Sequence, residues 1–420
     1  MTASNHVHSL SFGPAARFAR AAARWVLWAA IALTLGLGGV ARAGDGDYTV
    51  EEYTYRRLER AQKQLESKDY KGAFETLNQL LVRKRLSKYG RALTLQSMAY
   101  AYVKLENYPK AAETFQAMVD LEALPPQTQA DSLFNLGQIL MAVEKYRKAV
   151  STFEQWLAME ESPSPSSLHT IATAYAQVKD YPKVVTFIKR AIRGKKKPPD
   201  QWYRLHLAAL VQLKRWSAAI PVMLEIVERD LDDAKNWKQL SAIYSEAGRT
   251  GESVAVLELT YRLGLLDKPK DIRLLAQNLL AIDVPTKAAE YLEDALKKGR
   301  VKRDAETLEL LATSYIAAAD VKDAVGPLQQ AARIKKSAKL FTELGQLHLE
   351  RKEWAPAVRA FDRALSSGDA KKPGQVHLMK GIAQFRLGRK GAARKSFKAA
   401  GQFSDAKRSA QSWLGFLDES

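Results

Sequence analysis

Past residue 43 the chain carries four histidines, His169, His206, His348 and His377, and the closest two stand 29 residues apart. A helical zinc site needs imidazoles about one turn apart, as in H-E-x-x-H, so this spacing supplies no metal site. His348 falls in a slot that large residues fill elsewhere in the chain, which reads as packing. Cysteine is absent, which removes disulfides, thiolate metal ligands and cysteine nucleophiles. The acid pairs Glu160-Glu161 and Asp232-Asp233 fall at segment junctions, where their plain role is a solvated helix cap. Neither G-x-S-x-G nor G-x-x-x-x-G-K-[ST] occurs, so the chain has no nucleophile elbow and no phosphate loop. These residues predict no catalytic centre, no metal and no cofactor.

Positive charge is what the sequence holds in quantity. Sixty-five Lys and Arg against 46 Asp and Glu give +19 over 420 residues. That balance favours acidic partners: anionic lipid heads, nucleic acid, cell-wall polymer or acidic protein segments. A hydrophobic fraction of 46% with 26% charged residues is that of a folded chain, and the length exceeds one ordinary core.

The elements that must position these charges recur. "ENYPKAAETF" from Glu106, "EKYRKAVSTF" from Glu144 and "KDYPKVVTFI" from Lys179 share an aromatic, a basic residue with a small one, and an aromatic or aliphatic residue four positions later. Anchored on that small residue or its counterpart, the series runs Ala73, Ala111, Ala149, Val184, Ala219, Ser253, Ala288, Ala324, Ala357, Ala393, with gaps of 33 to 38 residues. Twelve residues before the anchor sits a second small residue in most units, among them Ala61, Gly137, Ser241, Ala276, Gly345 and Gly381; nine before it sits a large one, such as Tyr102, Leu140 or Tyr175. Three residues is nearly one helical turn, so both line one face of a first helix. Four after the anchor stands Leu, Ile, Met or Phe, on the inner stripe of a second helix. Pro109, Pro182 and Pro285 start second helices, where a missing N–H costs least. Pro125-Pro126, Pro163, Pro198-Pro199 and Pro373 separate units, and "ESPSPSS" (161–167) and "GKKKPPD" (194–200) read as loosened joints. The run Lys195-Lys196-Lys197 reads as a solvated loop.

This pattern resembles the tetratricopeptide repeat family. The fullest matches are Trp237, Leu240, Ser241, Tyr244, Gly248, Ser253 and Leu257, and Leu133, Leu136, Gly137, Tyr146, Ala149 and Phe153. Leu207 in a small slot, and Ser253 and Val184 at anchors, depart from it. The resemblance covers roughly residues 48–400 and implies an all-α, right-handed superhelical solenoid of about ten helix-turn-helix repeats. Within it "LELTYRLGLLDKPKDIRLLAQNLLAIDVPTKAAEYLEDAL" (257–296) resembles the repeat proteins encoded beside TonB–ExbB–ExbD systems in Gram-negative bacteria. That narrower likeness implies a periplasmic accessory of TonB-dependent uptake, with envelope proteins as partners.

In such a solenoid the exposed positions of first helices face a groove. Three residues before the small slot stand Gln96, Phe134, His169, Arg204, Lys238, Arg273, Glu309 and Thr342; three earlier still stand Leu93, Asp131, Ser166, Gln201, Lys235, Lys270, Glu306 and Lys339. Arg204, Lys235, Lys238, Lys270 and Arg273 then form a basic stripe, with Tyr100, Lys104 and Phe134 further toward the N-terminus. A stripe of this kind suits an extended acidic or carboxylate-ended partner segment; its plain alternative is the solvated face of a basic protein. An anionic envelope polymer or a general envelope-assembly role is the competing reading. Nucleic acid is not expected, because the stripe lacks interleaved aromatics. Export is predicted at the N-terminus: Arg17, Arg20 and Arg24, the apolar run Trp25 to Val40, then Ala41-Arg42-Ala43 form a signal peptide over residues 1–43. If uncleaved, residues 25–40 would anchor the chain beside the inner membrane. Residues 44–403 are expected to form the solenoid and 404–420 a capping helix.

Overall fold

The computed structural model describes residues 48–419; the predicted signal peptide lies outside them. Among the described residues there are 21 helices and no strand. In chain order they are α1 (Glu52–Glu66), α2 (Tyr70–Leu81), α3 (Lys88–Lys104), α4 (Tyr108–Val119), α5 (Pro126–Ala142), α6 (Tyr146–Met159), α7 (Pro165–Gln177), α8 (Tyr181–Arg193), α9 (Asp200–Gln212), α10 (Trp216–Arg229), α11 (Ala234–Glu246), α12 (Thr250–Arg262), α13 (Pro269–Ala281), α14 (Pro285–Lys297), α15 (Ala305–Ala317), α16 (Val321–Lys335), α17 (Ala338–Glu350), α18 (Trp354–Ser366), α19 (Pro373–Arg386), α20 (Lys390–Ala400) and α21 (Lys407–Glu419). They make ten first-and-second helix pairs and one further helix, a repeat solenoid as the spacing predicts.

One turn is reused ten times. Five residues before every anchor the backbone is left-handed, with φ between 53° and 76°, from Lys68 and Glu106 through Lys352 to Gly388. The conformation lets the residue's own amide and the next one close back on the end of the first helix; Lys179 N donates to Ala176 O and Asp180 N to Tyr175 O. Only Gly248 and Gly388 supply glycine there. Asp69, Asn107, Asp180 and Asp320, one residue on, cap the second helix by accepting from the amide three residues ahead.

Pairs lock by matched volume. Phe153, Phe361 and Phe397 are fully buried, and sixteen residues before each stands Gly137, Gly345 or Gly381. A Cβ at any of the three would lie 2.7 Å from that ring's Cδ1. Where the inner residue is Leu292 or Leu328, the facing residue is Ala276 or Ala312, and all four are buried. The departures pack as well: the Ser241 and Ser253 hydroxyls bond each other at 2.9 Å, and Leu207 and Val184 are buried.

The chain divides into two compact units, ending at Ile226 and beginning at Val227, within α10. The break is therefore C-terminal to both expected joints. In the first unit one hydrophobic cluster runs from Ala92 to Ala209 and includes Trp156 and Leu168 on either side of residues 161–167, and Ala191 and Trp202 on either side of 194–200. Pro198 is buried, and Pro165 Cγ would lie 2.9 Å from a Cβ on Gly194. Pro165 and Pro198 thus pack within these stretches, and the boundary between the two units falls at neither. In the second unit α21 is pinned by Trp413 stacked on Phe397, with ring centroids 5.3 Å apart, and by an Arg394–Asp418 ion pair.

Successive repeats are stitched at a spacing of 33. Lys238 meets Asp271, Arg273 meets Glu306, Tyr261 meets Asp294 and Tyr291 meets Glu258. One repeat also caps another: Asp369 accepts from Ala338 N at 2.9 Å, and Asp405 from Gln375 N at 3.0 Å.

Candidate functional site

Several first helices of neighbouring repeats touch directly, α1 with α3, α7 with α9, α13 with α15 and α17 with α19. A residue on one therefore faces its counterpart about one repeat later. This sorts the five basic positions by partner. Lys238 Nζ lies 2.8 Å from Asp271 Oδ2, and the Asp271 side chain is only 11% exposed. Lys238 is thus the counter-ion of a carboxylate that burial would otherwise penalise. Arg273 reaches Glu306 at 3.1 Å and donates to Thr307 Oγ1 at 3.4 Å. Lys235 and Lys270 are exposed and have no ion pair among the described residues. Arg204 is exposed as well but belongs to the first unit, whereas the other four belong to the second. Sequence reasoning treated the five as one kind; two are staples between repeats and three are outward cations. Further along the same layer, Glu309 accepts Lys335 at 2.6 Å and Lys339 at 3.5 Å.

The aromatic positions are partly committed to packing. Phe134 is half-buried, 4.7 Å from the Trp156 ring and 5.5 Å from Phe153. Tyr100 sets its ring edge-on to Phe115 at 5.5 Å. Burial and the nearby Asp131 push its hydroxyl pKa up, while a hydrogen bond with Asn135 opposes them. Lys104, in the last turn of α3, is exposed.

Each histidine serves its own neighbourhood. His169 stacks on Trp202 at 5.1 Å and 13°, and burial lowers its pKa to about 4. His206 is lowered to about 4 by burial and then by Lys189. His348 is buried, as its packing slot predicts, and its Nδ1 stands 2.6 Å from Glu353 Oε2. His377 stacks on Phe403 at 6.0 Å; burial and Lys380 lower its pKa, and Asp362 opposes them. Among the described residues no three His, Cys, Asp or Glu converge to hold a metal. Nor is any helix among them long and apolar enough to cross a membrane.

Sequence reasoning missed one cleft of about 540 Å³, bounded by α14, the following loop, α15 and α16 and lined by Glu293, Lys297, Arg303, Tyr315, Asp323 and Gln330 among others. Its polar groups are largely mutual partners: burial and a hydrogen bond with Glu293 raise the Tyr315 pKa, and Arg303 Nε donates to Gln330 at 3.4 Å. Gly326 followed by Pro327 inside α16 was the sequence signal, since side-chain volume is absent where the cleft opens.

Tetratricopeptide repeat family models match residues 132–164 and 342–407. Those two stretches are thus tetratricopeptide repeats, a repeat type that serves as a scaffold for protein–protein interaction. No curated protein matches the chain. Similar solved structures include MamA, at 19% identity over 41% of this chain and 97% of that one, with a TM-score of 0.33. The Cut9–Hcn1 hetero-tetramer of the APC/C gives 15% identity over 87% and 78%, with a TM-score of 0.28. The TPR2AB domain of yeast Sti1, solved in complex with pHSP90, gives 14% identity over 61% and 96%, with a TM-score of 0.31.

Proposed function

We propose that this protein is a non-catalytic periplasmic scaffold that holds extended acidic segments of other envelope proteins, as an accessory of TonB–ExbB–ExbD energy transduction. The observation that carries the binding reading is the set of outward cations left once the staples between repeats are removed: Arg204, Lys235 and Lys270, all exposed. A Lys or Arg that already neutralises a buried acid has little left for a ligand, whereas an exposed one can form a charge-assisted bond with a partner carboxylate. The signal-like residues 1–43 support export, and the stretch 257–296 supports the TonB association.

The test is capture from envelope extracts with the full chain and its Arg204→Glu, Lys235→Glu, Lys270→Glu variant. The variant is expected to keep its helical content and lose the TonB, ExbB or ExbD proteins that the unaltered chain recovers. Equal recovery by both would overturn the outward-cation reading, and recovery of none of the three proteins by the unaltered chain would overturn the association. Lys238→Glu and Arg273→Glu are poor probes of binding, because each also breaks a staple.

A further inference from the structure

Two stretches hold most of the excess charge: residues 371–398 carry nine cations and no acid, with Lys380 and Arg394 paired to Asp362 and Asp418, and the second stretch shows no ion pair among the described residues. Between Ser162 and Pro199 stand eight cations and a single acid, Asp180, a net +7 within a chain of +19. Seven of the eight belong to α8 and the loop after it: Lys183, Lys189, Arg190, Arg193 and Lys195 to Lys197, every one exposed. Helical register explains the display. Val184, Phe187, Ile188 and Ala191 are buried, which leaves Lys183, Lys189, Arg190 and Arg193 along the opposite face and the lysine run extending it.

The surroundings do not neutralise this face. α7, packed against α8, carries no Asp, Glu, Lys or Arg; α9, packed on its other side, carries Asp200, Arg204 and His206. Asp180 sits at the far end, where it caps Lys183 N. The C-terminal end of a helix offers the equivalent of about half a negative charge, far less than Arg190, Arg193 and three lysines supply. None of the seven has an ion pair with an acid among the described residues; Lys195 Nζ instead lies over the Trp202 ring, 5.2 Å from its centroid. Crowding like charges costs stability, so the arrangement calls for an external anion.

We propose that the outer face of α8 and the loop 194–197 dock on an anionic lipid bilayer surface. Flexible, unpaired cations along one helix fit a fluid layer of phosphate headgroups, which needs no fixed geometry. A specific acidic peptide would be better held by donors fixed in a groove. Single-stranded nucleic acid would call for an exposed stacking platform, and Trp202 is buried beneath Lys195 at 3% exposure. The lysine run, read from sequence as a solvated loop, thus becomes one end of a continuous surface.

The test is co-sedimentation of the full chain with vesicles of phosphatidylcholine alone or mixed with phosphatidylglycerol. One variant replaces Lys189, Arg190, Arg193, Lys196 and Lys197 by Gln; a charge-matched control replaces the exposed Lys371, Lys372, Arg386, Lys395 and Lys398 by Gln. The unaltered chain and the control are expected to partition onto the anionic vesicles, and the α8 variant at least tenfold less, since each cation near such a surface contributes roughly a factor of five. Binding to both vesicle types alike, or equal loss in the α8 variant and the control, would overturn the proposal. So would α8-dependent capture of a polyglutamate peptide or an RNA oligomer without vesicle binding. Arg204, Lys235 and Lys270 are unchanged in both variants, so this result is independent of the partner-capture test.

Discussion

Gly345→Ala tests whether the repeats are spaced by the glycine–phenylalanine fit. The new methyl would sit 2.7 Å from Phe361 Cδ1, where carbon atoms prefer about 3.5–4.0 Å. Phe361 is fully buried between α17 and α18, so its ring has nowhere to swing and the helices must part by roughly an ångström. Overpacking of this kind costs about 1–3 kcal/mol. Phe361→Leu alone leaves a void costing about 1 kcal/mol or more. Together the two recreate the Ala276–Leu292 and Ala312–Leu328 pairs, so the double variant is expected to lose less than the sum of the singles, with a coupling of about 1–2 kcal/mol. Ala99 opposite Phe115, both fully buried, shows that alanine can face phenylalanine where the two helices are set for it. The cost at Gly345 is therefore that of resetting α17 against α18. Repeat arrays unfold in parts, so the assay is native-state hydrogen exchange of α17 and α18 amides rather than a single melting point. Gly345→Ala with unchanged protection, or additive losses in the double variant, would refute the reasoning.

Two further outcomes follow from the same geometry. Lys352→Gly, at a left-handed turn with φ 59°, should stabilise the second unit by about 0.5–1 kcal/mol because glycine meets no Cβ penalty there; a lowered urea midpoint would contradict that. His169 and His206, held neutral with pKa values of about 4, bind fewer protons folded than unfolded below their ordinary 6.5. Stability of the first unit should therefore be full above that pH and fall as pH drops from 6.5 toward 4, by about 2–3 kcal/mol per histidine at most. A His169→Gln, His206→Gln variant should lack that slope; an unchanged slope would remove the histidines as its cause.

The repeat was legible because packing recurs with the chain's own period. Every anchor from Ala73 to Ala393 is buried, and the helix starts at Pro109, Pro182 and Pro285 stand where proline's missing N–H costs least. Two things escaped. Glycine and proline read as breakers at 161–167 and 194–200, yet Pro165 and Pro198 contribute to packing there, which composition alone does not show. The cleft beside Gly326 escaped because it opens at a glycine outside the repeating packing positions, where three successive helices leave volume unfilled.

The basic stripe illustrates a more useful correction, because the period itself holds the remedy. A first-helix charge at position i is neighbour to position i+33, so its meaning depends on both. Lys238 projects onto Asp271 and Arg273 onto Glu306, opposite signs that the structure joins. Lys235 projects onto Lys268 and Lys270 onto Arg303, like signs that offer neither lysine an ion pair, and both lysines are exposed. Read in pairs rather than singly, the sequence separates staples from outward cations before any coordinates exist. Applied to α8, the same logic uses its packed neighbours instead of a partner position: α7 carries no charged residue to meet the cations. Surplus charge in a repeat protein is thus best sought on a helix face whose packed neighbour supplies no acid, and the outer face of α8, packed on α7, is one such place.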